Sequence, residues 1–463
     1  MKLIQMFSNR LFKRFFFVLI SIAVLAVLYF IFSLLYANYQ THKSFTSEMS
    51  YFDRFGVKYE LIEQQRGLFS SVYKTKLTAI TTDDDITMGI NHQAEFGIKS
   101  FDIFKIGTIK TSYEYDNYTK NLLEKNSLAD VAQETVFDIR FDGMEAFIKI
   151  EPKSFETTKD YYGKDIISTY NGSGGSYYVK GSFDSKTFFV KQYIENIEQN
   201  SIGAASVGMK NVTFDINLHR NSLNTWLGEI KFGAKDYHII SQNNNFNFNT
   251  HLVNYMANIA ATEQKNDLMA LSFKTATDEF VLSADTLNVT IKDMLVDVVI
   301  SELEQNTINA VVNKLSKINL KTSKRDKDLT LFSISGEMIS LLKTHPSITV
   351  NIKGTPNDWR TAEVAAYIKY TGDNIYGINL SNWKEYFDFE IKYSLDKKMV
   401  VAFLEQDARK KYERVGLSIE EIEVLVEKSI EFGLDNLKKL GATIEQDMIT
   451  GVLNKNTKLN SIY

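Results

Sequence analysis

An uninterrupted apolar segment near the N-terminus constrains this 463-residue chain more than any other feature. It runs for 22 residues from Phe15 to Tyr36, and Ser21 and Ser33 are its only plainly polar members. A helix rises about 1.5 Å per residue, so the segment can cross a hydrocarbon layer of about 30 Å. A lone segment in lipid must satisfy its backbone groups internally, which a helix does. The sequence therefore predicts one transmembrane helix over 15–36.

The charges around this segment predict its orientation. Four basic residues and no acidic residue precede it: Lys2, Arg10, Lys13 and Arg14. The positive-inside rule places 1–14 in the cytoplasm and the rest of the chain outside. A cleaved signal peptide is the alternative, but its apolar region would be about 7–15 residues long. Because Leu35-Tyr36-Ala37 is also a poor cleavage site, we predict a retained signal anchor.

Composition excludes several classes of site. The chain has no cysteine, so disulfides, thiolate metal sites and cysteine nucleophiles are excluded. Its net charge of −4 offers no basic surface for nucleic acid. The six histidines are scattered and form no ligand pattern, and we interpret each as a surface or strand residue. We expect no metal, no cofactor, no catalytic residue and no nucleic-acid partner.

The body of the chain alternates between apolar and polar residues with a period of two. VTFDINL at 212–218 and SITVNI at 347–352 are examples. Such alternation is typical of antiparallel strands with one face on a core and the other in water. The sequence predicts a strand-rich extracytoplasmic region over 37–292.

Helical patterns appear in the second half, over 293–318, 328–344 and 418–440. The last begins with Ser418 and Glu421 in a capping-box pattern. A strand or hairpin is expected from Thr443 to Asn460. We therefore predict the α+β class: an N-terminal transmembrane helix, a large mainly antiparallel β domain, and a mixed helix and strand region over 293–463 that packs on the sheet.

One stretch resembles a known family. Residues 56–78, GVKYELIEQQRGLFSSVYKTKLT, contain an Arg-Gly-Leu-Phe-Ser-Ser turn between two predicted strands, shortly after the anchor. This arrangement resembles the YdgA-like family of bacterial envelope proteins, a domain of unknown function (DUF945). The order of features at 340–359 and 397–456 is also similar. The resemblance implies a bacterial inner-membrane anchor and a periplasmic domain, and it supplies no catalytic residues.

The family-motif turn comprises Arg66, Gly67, Phe69, Ser70 and Ser71, and it has two interpretations. In the functional one, Arg66 offers a bidentate donor to a carboxylate or phosphate. In the structural one, Gly67 permits a bend, Phe69 enters the core and the serines bond local backbone. We favour the structural interpretation.

These features favour a non-enzymatic envelope factor in the inner membrane. We expect its sheet surface to bind a partner protein or an apolar ligand such as lipid, and we expect that it could form a homodimer through its C-terminal helices. The alternative is an envelope hydrolase that acts on cell wall or lipid through a site that the sequence does not reveal.

Overall fold

A computed structural model gives the structure of the protein. It describes residues 2–48, 57–79, 86–98, 102–116, 134–159, 165–201, 205–243, 246–284, 287–315, 318, 324–357, 359–373, 382–413, 418–455 and 457. The chain divides into two compact units that alternate along the sequence. Unit 1 consists of 1–149, 176–190 and 316–323, and unit 2 consists of 150–175, 191–315 and 324–463.

The helices are α1 (Lys2–Lys43), α2 (Gln305–Leu315), α3 (Lys324–Leu341), α4 (Trp383–Tyr386), α5 (Lys397–Glu413) and α6 (Ile419–Lys439). The first ten strands are β1 (Val57–Arg66), β2 (Ser70–Ala79), β3 (Ile86–Phe96), β4 (Gly107–Tyr115), β5 (Glu134–Ile139), β6 (Gly143–Ile150), β7 (Lys153–Lys159), β8 (Asp165–Gly172), β9 (Gly175–Ser182) and β10 (Thr187–Ser201). The others are β11 (Ala205–Arg220), β12 (Trp226–Asn243), β13 (Phe246–Glu263), β14 (Leu268–Ala284), β15 (Leu287–Glu304), β16 (Ser347–Pro356), β17 (Ala362–Tyr370), β18 (Phe387–Asp396), β19 (Thr443–Ile444) and β20 (Met448–Asn454). Short helical turns follow α1 at Ser44–Glu48 and α3 at Leu342–Thr344.

Unit 1 is an antiparallel meander in which each strand from β1 to β6 pairs with the next. Successive connections in a meander alternate between its two ends. The β1–β2, β3–β4 and β5–β6 connections therefore lie at the same end of the sheet.

Helix α1 contributes to the core of unit 1. Leu34 and Ala37 of the helix and Phe45 of the turn that follows it are buried. They pack with apolar residues of the strands and loops: Tyr73, Ala94, Phe96, Ile106, Ile109, Ile139 and Phe183. The predicted apolar helix is thus confirmed as part of a longer one. Among the described residues α1 is the one helix that is long and apolar enough to cross a membrane. Its last third lies in a folded core.

Unit 2 contains a longer meander. Each strand from β11 to β18 pairs antiparallel with the next, β18 pairs with β20, and β20 pairs with β19. Strands β7, β8 and β10 pair as a second group, with β8 in the middle. The segments at 212–218 and 347–352 lie in β11 and β16, so their predicted strand character is confirmed.

One predicted helix was wrong over half of its length. The segment 293–318 forms the second half of β15 up to Glu304, and the helix α2 begins only at Gln305. The run Leu295–Ile300 contains three valines, and such β-branched residues pack well in strands. Strand β15 also pairs with β14 on one side and β16 on the other, which satisfies its backbone groups without a helix.

The remaining helix predictions are confirmed. Helix α3 ends at Leu341, and a short turn continues to Thr344, just before Pro346. At the start of α6, the Ser418 side chain accepts the Glu421 backbone N–H and the Glu421 carboxylate accepts the Ser418 backbone N–H, as the capping box predicts. Helices α5 and α6 share an apolar cluster of their own, built on Ala408, Ile422 and Val426.

Candidate functional site

A row of apolar side chains crosses the long meander of unit 2. Residues directly opposite each other in antiparallel strands lie on the same side of the sheet. Following the registers from strand to strand gives Ile216, Ile230, Ile259, Phe273, Val298, Val350, Ala366, Ile391 and Leu453. Each of these positions is apolar, so one side of the meander carries an unbroken apolar stripe.

Two neighbouring rows widen this stripe into a surface. On one side lie Ala261, Leu271, Ile300, Ile348, Ile368 and Phe389. On the other side lie Phe232, Ala257, Thr275, Val296, Ile352, Val364 and Tyr393. We refer to the three rows together as the apolar face. The row of intervening positions carries Asp215, Lys231, Asn258, Lys274, Asp297, Asn351, Ala365 and Lys392, so the opposite side of the sheet is mainly polar.

The apolar face is covered at one end and open in the middle. Ala261, Leu271 and Ile300 pack beneath Ile308 of α2 and Leu341 of α3. Two central side chains, Ile259 and Phe273, are 51% and 42% exposed. In other proteins, exposed apolar side chains grouped on one surface are a feature of interaction sites.

A bend in the sheet lies at one border of this surface. Asn211, Asn254 and Asp293 have left-handed backbone, with φ of 49°, 50° and 50°. They lie at one level of the sheet, because residues next to them are paired from each strand to the following one. The paired residues are Lys210, Asp236, Val253, Glu279 and Lys292. Asn and Asp enter this conformation more readily than other non-glycine residues.

At the same level of the sheet, the alternation of apolar and polar residues along the sequence shifts by one position. In β12 the apolar positions are Phe232 and Ala234 before the bend, and Tyr237 and Ile239 after it. A regular strand would turn the second pair to the polar side. The coincidence of the phase change with the left-handed residues indicates that the bend keeps the apolar residues on one side.

The polar side of the sheet carries a small cluster of titratable groups. His238 and His251 face each other across β12 and β13. Asp236 lies 3.3 Å from His238 Nδ1 and 3.2 Å from His251 Nε2. Partial burial disfavours the charged form of Asp236, but the hydrogen bonds to His251 and His238 hold its pKa below the ordinary value. The three groups tie two strands together.

Another histidine, His92, is buried in unit 1. The ring of His92 lies between the hydroxyls of Thr75 and Thr111, at 3.2 Å and 3.0 Å, so one ring nitrogen donates and the other accepts. The Phe45 ring covers it, with ring centres 4.5 Å apart. Burial lowers the pKa of His92 to about 4. His92 is therefore neutral at physiological pH and links three strands beneath α1.

The family-motif turn joins β1 to β2 and contacts α1. Arg66 Nη2 donates to Asn38 Oδ1 at 3.2 Å, and Asn38 Nδ2 donates to the Gly67 carbonyl at 2.7 Å. A side chain at Gly67 would come within 2.7 Å of the Ser70 carbonyl oxygen, so the bend requires glycine. Ser71 is buried, and its hydroxyl accepts the Gly67 N–H at 3.4 Å. These contacts agree with the structural interpretation of the turn.

One part of that interpretation was wrong. We expected Phe69 to enter the core, but its side chain is exposed. Its carbonyl accepts the Phe96 N–H at 2.8 Å, which holds the residue at the end of the sheet, and Tyr73 takes the interior position further along β2.

Sequence reasoning missed the cluster of Asp236, His238 and His251. The spacing of Asp236 and His238 places both on one face of a strand, but their register with His251 depends on how β12 pairs with β13. The sequence also left open whether the apolar side of the sheet closes on itself, is covered by the C-terminal helices or forms a groove. The individual strands were predictable, and the alignment of their apolar rows was not.

The comparisons with known proteins agree with the resemblance noted in the sequence. The family described as "Bacterial protein of unknown function (DUF945)" matches residues 18–450. No curated protein and no solved structure matches the chain. The match spans the apolar helix, both compact units and the family-motif turn, and the chain belongs to the DUF945 family of bacterial proteins.

Proposed function

We propose that this protein is a non-enzymatic envelope factor that binds the acyl chains of lipids on its apolar face. A retained N-terminal helix anchors it in the bacterial inner membrane, and its two units lie in the periplasm. The observation that carries the proposal is the apolar stripe across the long meander of unit 2, whose central side chains Ile259 and Phe273 are half-exposed.

The core of unit 1 supports retention of the anchor. A cleavage at Leu35-Tyr36-Ala37 would remove Leu34, which is 3% exposed and packs in that core. It would also remove the Tyr36 hydroxyl that donates to the Phe141 carbonyl at 2.9 Å. Large-to-small changes at such positions cost about 2–5 kcal/mol. A chain cut there would lose part of its folded interior.

The size of the apolar face supports a ligand of considerable length. Strands are about 4.8 Å apart, and alternate residues of a strand are about 6.8 Å apart. The central stripe from β11 to β20 therefore extends roughly 38 Å, and the three rows together are roughly 14 Å wide. Helices α2 and α3 cover part of the row that contains Ala261, Leu271 and Ile300, so the open part of the face is smaller than these dimensions.

The chemistry of the face favours acyl chains over an extended peptide. The backbone groups of the interior strands are used in pairing with their neighbours, so the face presents side chains alone. A peptide laid on it would have to desolvate its own backbone groups without partners, at about 1–3 kcal/mol each. An acyl chain carries no such groups and gains only from burial.

The test compares lipid bound to variants of the full chain. Ile259→Asp and Phe273→Asp place a charge in the middle of the apolar face, at side chains that are already half-exposed. Asn258→Asp is the matched control: it adds the same charge next to Ile259 on the polar side, in register with Lys231 and Lys274. The protein is extracted in polymer discs and exchanged into detergent, and the retained lipid is quantified by mass spectrometry.

We expect the two variants of the apolar face to retain about tenfold less lipid, because an aspartate in contact with an acyl chain costs more than about 1.4 kcal/mol. Asn258→Asp should retain the wild-type amount. Equal retention in all three variants would contradict the proposal. If the wild-type chain retains no lipid and instead crosslinks to an envelope protein, the face binds a protein partner.

A further inference from the structure

We propose that one end of unit 1 is embedded in the outer surface of the membrane that holds α1, through four exposed apolar side chains on two connections of the sheet. These are Leu68 and Phe69 in the β1–β2 turn, and Ile103 and Phe104 in the β3–β4 connection. We refer to the four residues as the membrane rim. The inference rests on the proposed membrane anchor.

The first observation is where α1 meets the sheet. The Tyr29 hydroxyl donates to the Ile103 carbonyl at 2.8 Å, and Asn38 Nδ2 donates to the Gly67 carbonyl at 2.7 Å. In the turn that follows the helix, Phe45 contacts Tyr73 in the interior of β2, with ring centres 4.7 Å apart. The helix therefore passes the connection end of the sheet at residues 29–38 and continues over its strands.

The part of α1 before this contact projects beyond the sheet. Ile22, Val24, Leu25, Val27 and Leu28 are exposed apolar side chains. This projecting segment is the part of the described helix that would lie in lipid. The connection end of unit 1 therefore faces the membrane.

The length of the helix fixes how close that end comes. From Phe15, which directly follows the basic pair Lys13 and Arg14, to Tyr29 is roughly 21 Å of helix. The hydrocarbon layer is about 30 Å thick, so it extends about 9 Å past Tyr29. The β3–β4 connection contacts the helix at Tyr29, inside this layer, and the β1–β2 turn contacts it at Asn38, roughly 13.5 Å past Tyr29. The membrane rim therefore straddles the boundary between the hydrocarbon layer and the headgroups.

The side chains on the rim match that position. Leu68, Phe69, Ile103 and Phe104 are 53%, 60%, 53% and 61% exposed. The hydrogen bond from Phe96 N–H to the Phe69 carbonyl holds the β1–β2 turn to the end of β3, where the β3–β4 connection begins. Apolar side chains at the boundary between headgroups and acyl chains gain burial there, at about 25 cal/mol per Å². In water the same four side chains would remain uncovered.

This arrangement assigns a role to the family-motif turn. Gly67 makes the tight bend, and Asn38 and Arg66 fix the turn against the helix. The turn therefore presents Leu68 and Phe69 to the bilayer at a defined height. Seated in this way, unit 1 would be held at a fixed distance from the membrane surface.

Because the chain has no cysteine, one introduced cysteine can be labelled specifically, and the depth of the label in the bilayer can then be measured. Single-cysteine variants Phe69→Cys and Phe104→Cys of the full chain are labelled with an environment-sensitive fluorophore and reconstituted in phosphatidylethanolamine and phosphatidylglycerol vesicles. Quenching by lipids that carry a nitroxide at a shallow or a deep acyl position then reports depth. Leu25→Cys in the projecting part of α1 reports the anchor.

The control for the rim is Glu114→Cys, which is exposed near the far end of β4. It lies seven residues from Gly107, or roughly 23 Å along the strand. We expect strong quenching by the shallow nitroxide at positions 69 and 104, deep quenching at 25, and none at 114. Quenching at 25 without quenching at 69 and 104 would overturn the membrane rim and leave the anchor intact. Absence of quenching at all four positions would overturn the anchor as well.

Discussion

At the scale of single residues, His92 determines how unit 1 responds to acid. Its ring is 7% exposed and bridges two threonine hydroxyls, and burial holds its pKa at about 4. An unfolded histidine has a pKa of about 6.5. The folded state therefore binds this proton less readily than the unfolded state does.

The consequence is a loss of stability in acid. The contribution of His92 is fully present above pH 6.5 and is lost as the pH falls towards 4, by about 3 kcal/mol in total. We expect the denaturation midpoint of the wild-type chain to fall more steeply over this range than that of His92→Gln. His219→Gln, at an exposed position of β11, should keep the wild-type slope. Parallel slopes in wild type and His92→Gln would contradict this assignment.

At the scale of elements, Asp396 joins a strand to a helix. It is the last residue of β18 and precedes α5. One carboxylate oxygen accepts the backbone N–H groups of Lys398 and Met399 at 2.7 Å and 3.3 Å, and the other accepts that of Arg360 at 2.7 Å. Burial disfavours the charge, but these three hydrogen bonds hold the pKa of Asp396 below its ordinary value.

Removing this carboxylate should destabilise unit 2. Asp396→Ala loses the helix cap and leaves the Arg360 N–H without its partner, at a cost of about 2 kcal/mol or more. Because the pKa of Asp396 is lowered on folding, its contribution is present above about pH 3.9 and is lost as the pH falls below it. Asp388→Ala is the control, because its ion pair with Lys455 is exposed and worth little. Chemical denaturation at pH 7 gives the unfolding midpoint of each variant. Equal midpoints for Asp396→Ala and Asp388→Ala would contradict the capping role.

The elements also show which features the sequence could predict. Helix α6 was predictable because its cap residues, Ser418 and Glu421, act locally. The end of β15 was not, because Leu295–Ile300 fits a buried helix or a strand equally well and only its pairing with β14 and β16 decides. The side chain of Phe69 was misplaced for the same reason: the partner of its backbone, Phe96, lies on a strand that is remote in sequence.

At the scale of the whole molecule, a long N-terminal apolar helix and an apolar sheet face occur in the same chain. The helix was predictable from the length and apolar composition of its segment. The apolar face was not predictable as a surface, because it depends on the registers of all the strands from β11 to β18. A one-residue slip in any of them would place apolar side chains on the polar side. The proposed lipid-binding function depends on this alignment.

The most direct test of that function is photo-crosslinking in living cells. A photoreactive phenylalanine analogue replaces Phe273 on the apolar face or, as the control, Lys274 on the polar side. After irradiation, the full chain is purified and its mass is measured. We predict adducts of phospholipid mass at position 273 and none at position 274. Equal lipid adducts at both positions, or none at 273, would contradict the account.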